Sequence, residues 1–256
     1  MNPIQIHAGQ VAYEWWDLVP AIVGGIIGAL AGGIPSYILA KRASREENFQ
    51  QKAQSQRQDR SKAFRLFIQL RDVLNDVLNT INQIDEMLAP HDRLLSDRFH
   101  LQRHIRPFAN LNYRTSIWPN IDDIALLASE DTLEYMTRLL LVFERYNAIL
   151  EAMRTFTKLK ERHMELLLEA AEHDIQSDGR VTSQVDRALY AKIELYEAQL
   201  ESVIAPTMAQ LTELKVDAIG VAGDFRDAIR SAMPNSGPVP GFEKSEIDKF
   251  REVPGT

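Results

Sequence analysis

From Leu18 to Ala40 the chain reads LVPAIVGGIIGALAGGIPSYILA, twenty-three positions without a charge, and Lys41 and Arg42 follow directly. A helix rises about 1.5 Å per residue, so this stretch reaches about 35 Å, against a bilayer hydrocarbon core of about 30 Å. Ten of its residues are Leu, Ile or Val. At about −0.3 to −0.6 kcal/mol each, they favour insertion by about 3–6 kcal/mol. Trp15 and Trp16 stand at one end and Tyr37 at the other, where amphipathic rings settle at headgroup level. The pattern predicts a transmembrane helix over 18–40.

The flanks predict its orientation. Glu14 and Asp17 precede the span, no Lys or Arg occurs in residues 1–40, and Lys41, Arg42 and Arg45 follow it. Positive charge stays on the cytoplasmic side, so residues 1–17 are expected outside and the rest of the chain in the cytoplasm, single-pass in the inner cell membrane. Ala29-Leu30-Ala31 resembles a signal-peptide cleavage box. A cleaved leader, however, carries a positive n-region where this chain is acidic, and the apolar run continues nine residues past the box. A retained anchor is expected.

Within the span the small residues are ordered. Gly24, Gly28 and Gly32 lie four apart, and Gly25, Ala29 and Gly33 form a second row beside them. Such a strip lets another helix approach to backbone contact and gain dispersion energy that lipid does not supply, which predicts transmembrane packing and a homo-oligomer. Pro20 falls in the first turn; Pro35 lies further in and should kink the helix.

The absence of cysteine removes disulfides, thiol nucleophiles and cysteine-ligated zinc. The net charge of −7 is uneven. Residues 41–62 hold seven Lys or Arg against three acids, a basic juxtamembrane stalk suited to an anionic leaflet. Residues 63–256 hold twenty-two against thirty-one, which argues against nucleic acid as a partner.

No glycine occurs between Ile34 and Asp178, so the body is expected to be all-α. Ala63, Phe67, Leu70, Leu74, Val77, Ile81, Ile84 and Leu88 are spaced alternately four and three apart, a heptad seam closed by Pro90. Such a seam serves either a helix of the chain's own bundle or a parallel coiled coil between chains. A short helix is expected over 91–106, an irregular stretch over 107–120 and a helix over 121–128. Ser129, with Glu130 and Asp131 behind it, reads as an N-cap for a long helix over 130–176. That helix carries the stripe Leu139, Val142, Tyr146, Ile149, Met153, Phe156. Ser177-Asp178-Gly179 is a turn, and 182–232 forms the last long helix, with a kink expected at Pro206. Residues 234–256, with four prolines and three glycines, are expected to be disordered. The predicted architecture is thus one N-terminal transmembrane helix followed by an elongated antiparallel, coiled-coil-like helical bundle over 63–233.

Chemistry is sparsely signalled. Asp97, His100 and His104 fall one turn apart on a predicted helix, an incomplete metal set for which His91, His163 or His173 would have to supply another ligand. His163 continues the stripe of its helix beyond Phe156 and Lys160, at the end of the core, where a polar residue or a pH sensor can sit. No phosphate-binding glycine loop, dinucleotide motif or nucleophile elbow is present.

Arg98 precedes His104 with five residues between, which resembles the R-x4–6-H signature of HEPN ribonucleases. The resemblance implies an Arg–His pair meeting at a dimer groove of a helical bundle and cleaving RNA without a metal. Arg93 and His100 satisfy the same spacing, and the acidic, anchored body departs from the pattern. The residues together predict a non-enzymatic, cofactor-free scaffold at the cytoplasmic face that oligomerises or recruits a protein partner. The alternative is a membrane-perturbing or signalling effector whose glycine-rich helix assembles in the bilayer.

Overall fold

A computed structural model of the chain describes residues 15–89, 101–108, 115–170, 174–175, 181–182, 187–234 and 237–252; within the first helix, side chains at 15–19, 21, 22 and 25–35 are not described. Two compact units divide the chain, Met1–Arg57 and Gln58–Thr256. Helix α1 (Trp15–Leu88) carries residues of both and includes Pro20 and Pro35 without interruption. In the first unit the side chains from Ser36 to Lys52 are exposed, and the Lys41 ammonium lies 5.8 Å from the centre of the Tyr37 ring. Among the described residues no helix is long and apolar enough to cross a membrane. Most of 18–40 lies outside the described side chains.

Among the described residues the regular structure of the second unit is helical apart from one short hairpin. After α1 come α2 (Ile121–Ile124), α3 (Leu133–Ala170), strands β1 (Asp174–Ile175) and β2 (Val181–Thr182), α4 (Arg187–Ala232) and α5 (Lys244–Glu252). The two strands pair antiparallel, Asp174 with Thr182 and Ile175 with Val181. The turn Ser177-Asp178-Gly179 between them lies outside the described residues.

Cross-helix contacts give the topology. Tyr135 Oη donates to Val221 O at 3.0 Å, Arg138 pairs with Asp224 at 2.9 Å, Arg145 pairs with Asp217, and His163 Nε2 stands 3.9 Å from Glu197 Oε1. As one number rises the other falls, so α3 and α4 are antiparallel, a long helical hairpin. The connection from α1 to α3 behaves differently. Arg106 N donates to Met87 Sδ, Gln69 Nε2 to Trp118 O, and Arg65 to Asp123, so this segment returns along α1. It also descends α3, through Phe108 N to Thr157 Oγ1 and Ile117 N to Asn147 Oδ1. Running antiparallel to both, it makes α1 and α3 parallel to each other. An all-antiparallel bundle rested on short connections; residues 89–132 are long enough to travel the length of the body instead.

The core lies among α1, α3 and α4. Leu70, Leu74, Val77, Ile81, Ile84 and Leu88 are all buried and Phe67 packs partly buried against them, beside Leu139, Val142, Phe143, Tyr146, Met153 and Phe156 of α3. The heptad seam therefore packs within the chain, which removes it as a surface for a coiled coil between chains.

Local details depart from expectation in three places. The helix expected over 121–128 starts where Asn120 caps α2, its Oδ1 accepting from Asp122 N at 3.0 Å, but the α-helix ends at Ile124 and a 3-10 turn, Ala125–Leu127, follows. Ser129 makes no side-chain bond to a helix-start amide; its hydroxyl pairs with Thr132 Oγ1 at 2.6 Å, a 3-10 turn over 130–132 intervenes, and α3 begins at Leu133. Only a 3-10 turn, Leu101–Arg103, is described in place of the helix expected over 91–106.

Residues 237–252 are also ordered. Phe242 and Ile247 are buried, Phe242 lies 4.8 Å centre to centre from Phe67, and Phe250 meets Phe242 edge-on. Glu246 Oε2 accepts from Glu243 N at 2.9 Å, half of a capping box. Three apolar anchors outweigh the prolines and glycines that suggested disorder.

Candidate functional site

Register explains where polar groups gather. Leu88 ends α1 roughly level with residue 158 of α3, because Tyr146 bonds Asp76 and both helices ascend together. Beyond that level α3 and α4 continue without α1, and the 101–108 segment takes the vacant position.

Polar side chains fill this end of the core. Lys160, buried, donates through Nζ to the Gln102 carbonyl. Gln102 is fully buried; its backbone N–H donates to Glu201 Oε2 at 3.2 Å, while neither atom of its side-chain amide has a hydrogen-bond partner. His163 is 4 % exposed, with neither ring nitrogen hydrogen-bonded. Arg103 Nη2 pairs with Glu197 Oε2 at 3.0 Å, so Glu197 stands between the guanidinium and the imidazole.

Burial sets the electrostatics. It pushes the Lys160 ammonium below its ordinary value, with Glu197 opposing. Burial likewise lowers His163, aided by Lys160 and Arg103 and opposed by Glu197. The imidazole is therefore neutral at pH 7.

Beside this cluster lies a groove of about 680 Å³. One wall is Gln102 and Arg103; the other is one face of α4, with Glu194, Glu197, Glu201 and Ser202 alternating with Ala198, Ala205 and Pro206. Its polar lining is three carboxylates, the Arg103 guanidinium and the Ser202 hydroxyl. Among the described residues no group of His, Asp and Glu is arranged to hold a metal ion.

The other residues singled out in the sequence are dispersed. Gly24 is exposed, and a Cβ there would meet nothing within 4 Å. The side chains of Ala29 and the remaining strip, Gly25, Gly28, Gly32 and Gly33, lie outside the described residues. Lys41, Arg42 and Arg45 are exposed on α1. His91, Arg93, Asp97, Arg98, His100 and His173 also fall outside the described residues, whereas His104 sits half-buried just after the 3-10 turn.

His163 was legible as an end-of-core residue from its stripe; Gln102, Arg103, Glu197 and Glu201 were not singled out. The signal available for two of these was the acidic face Glu194, Glu197, Glu201 on one side of a helix.

Comparison of the chain with protein-family models, curated proteins and solved structures finds no match in any of the three.

Proposed function

We propose that this is a single-pass membrane protein. Residues 18–40 cross the bilayer, and the helical body stands at the cytoplasmic face as a non-enzymatic scaffold that oligomerises and recruits a protein partner. The observation that carries the reading is the uncharged stretch 18–40 followed by Lys41, Arg42 and Arg45. Its backbone lies within one helix, α1, and those basic side chains are exposed. Each basic residue near an anionic leaflet contributes about 1 kcal/mol of attraction.

Because the heptad seam is used inside the body, self-association falls to the glycine strip, where close helix approach is possible. Partner recruitment falls to exposed apolar side chains such as Trp118 and Ile121, 57 % and 83 % exposed, at the start of α2. Scattered exposed apolar groups are ordinary, but these two large ones stand three residues apart in the chain, on either side of the Asn120 cap.

Cross-linking of the full chain in native membranes tests the assembly. A ladder of cross-linked species that Gly28→Leu abolishes is expected, since Leu would hold the helices apart. A wild-type chain that stays monomeric at every cross-linker concentration contradicts it.

A further inference from the structure

We propose that His163 is a proton-sensitive latch: when its imidazole takes a proton from solvent, Leu101–Arg103 leaves the α3–α4 hairpin while Phe108 and the three-helix core stay in place. The two ends of the 101–108 segment are held by different means. Ile105 and Phe108 are buried among apolar side chains, and Phe108 N donates to Thr157 Oγ1 at 3.2 Å. At the other end Leu101 is only partly buried, and the attachment is polar. Lys160 Nζ donates to Gln102 O, Gln102 N to Glu201 Oε2 at 3.2 Å, and Arg103 pairs with Glu197 at 3.0 Å.

That polar attachment is poorly satisfied. Neither amide atom of the Gln102 side chain and neither ring nitrogen of His163 has a hydrogen-bond partner in the protein. Buried polar groups almost always have one, so all four atoms gain hydrogen bonds to water when the segment leaves. Elements held this loosely open locally, ahead of the core.

Charge decides when it leaves. Among the described residues, the charged groups facing the imidazole are Lys160 on its own helix, Glu197 on α4 and Arg103 on the segment. Glu194 and Glu201 line the open groove instead. Two cations against one carboxylate oppose a third positive charge, and burial adds to that opposition. Glu197 does not relieve it while Arg103 is docked. Its Oε1 stands 3.9 Å from His163 Nε2, beyond hydrogen-bond reach, and its Oε2 is held by Arg103. Lys160 is buried within α3, whereas Arg103 is half exposed, so Arg103 is the cation that departs, and Gln102 goes with it.

The docked imidazole is held below its ordinary 6.5; once the segment has left, it meets water and returns toward that value. The released state therefore takes the proton first, and release is favoured as pH falls through 6.5. The 1.5 pH units from 6.5 to 5 set a ceiling of about thirtyfold on the gain.

The test is hydrogen exchange of the full chain, resolved to single amides, at pH 7.5 and pH 5 with intrinsic rates divided out. In the docked segment the Gln102 N–H is held by Glu201 and the His104 N–H by the Leu101 carbonyl. Protection of both is expected to fall several-fold at pH 5, within that ceiling, while Phe108 and the core amides of α3 and α4 keep theirs. His163→Gln should flatten the response, and His104→Gln, which removes the segment's own imidazole, should leave it intact. Arg103→Gln frees Glu197 for the imidazolium, so it should lower protection at pH 7.5 yet blunt the further loss at pH 5. A purely structural ion pair predicts the lower protection with the pH response unchanged.

Protection equal at the two pH values, or an equal loss at Phe108, overturns the proposal. So does an acid response that survives His163→Gln or disappears in His104→Gln. Should His163→Gln fail to fold, the wild-type contrast between Gln102 and Phe108 and the response of Arg103→Gln decide, an undiminished response in that variant counting against the latch. Cross-linking in membranes bears on none of these outcomes, since the latch lies within the body.

Discussion

Leu74→Ala in the full chain asks whether the heptad seam belongs to one molecule. Leu74 has no exposed surface, and its seam neighbours Leu70 and Val77 are 0 % and 1 % exposed. With α1, α3 and α4 on all sides, little can collapse into the space. The cost should fall in the upper part of the range for such truncations, about 3–5 kcal/mol. The unit beginning at Gln58 approaches 200 residues, a size at which each kcal/mol shifts Tm by about 2–4 °C. A fall of about 6–20 °C follows.

The assay is thermal unfolding at two protein concentrations a hundredfold apart, with Asn75→Ala as the exposed control. Within one chain, the fall is the same at both concentrations and the control moves stability by less than about 0.5 kcal/mol. A seam shared between chains would couple unfolding to dissociation, and Tm would climb with concentration. A Leu74→Ala deficit that changes with concentration, or a Leu74→Ala chain as stable as wild type, would refute the intramolecular seam.

Other consequences are as direct. The folded chain holds His163 below its ordinary value of 6.5, so the unfolded chain takes up the proton first as pH falls. Stability is thus complete above 6.5 and declines as pH drops below it; His163→Gln should flatten the decline between pH 7 and 5, and parallel Tm curves would exclude this origin. Asn147 bridges α3 to the returning segment through Ile117 N at 3.0 Å and Ile117 O at 2.9 Å. Asn147→Leu leaves two backbone groups unpaired and should cost about 2–4 kcal/mol, with faster hydrogen exchange at 115–118; exchange unchanged there would contradict the bridge. Phe242→Ala should cost about 3 kcal/mol, because the ring is buried against Phe67, whereas a disordered tail would register nothing.

What the sequence revealed divides along a physical line. The seam from Leu70 to Leu88 was visible because burial on one helix face writes itself every three or four residues, and each of those side chains is in the core. The hairpin of α3 and α4 was visible for the same reason. The parallel course of α1 and α3 was not, because it depends on Arg65 meeting Asp123, 58 residues away, and Asn147 meeting Ile117, 30 away. Nothing local encodes such pairings. Helix α5 was hidden by its composition: Phe242, Ile247 and Phe250 are anchors whose partners lie on distant helices. At the candidate site His163 could be placed from its stripe, yet the groove exists only because Gln102 lies against Glu201, 99 residues on.

The most direct measurement of the membrane assignment is alkaline carbonate extraction of vesicles carrying the full chain with a C-terminal tag, paired with protease added to intact cells. The chain should stay in the pellet, with the tag protected until the cells are opened. Release into the carbonate wash, or a tag digested from outside, would contradict both the span at 18–40 and the cytoplasmic placement of the body.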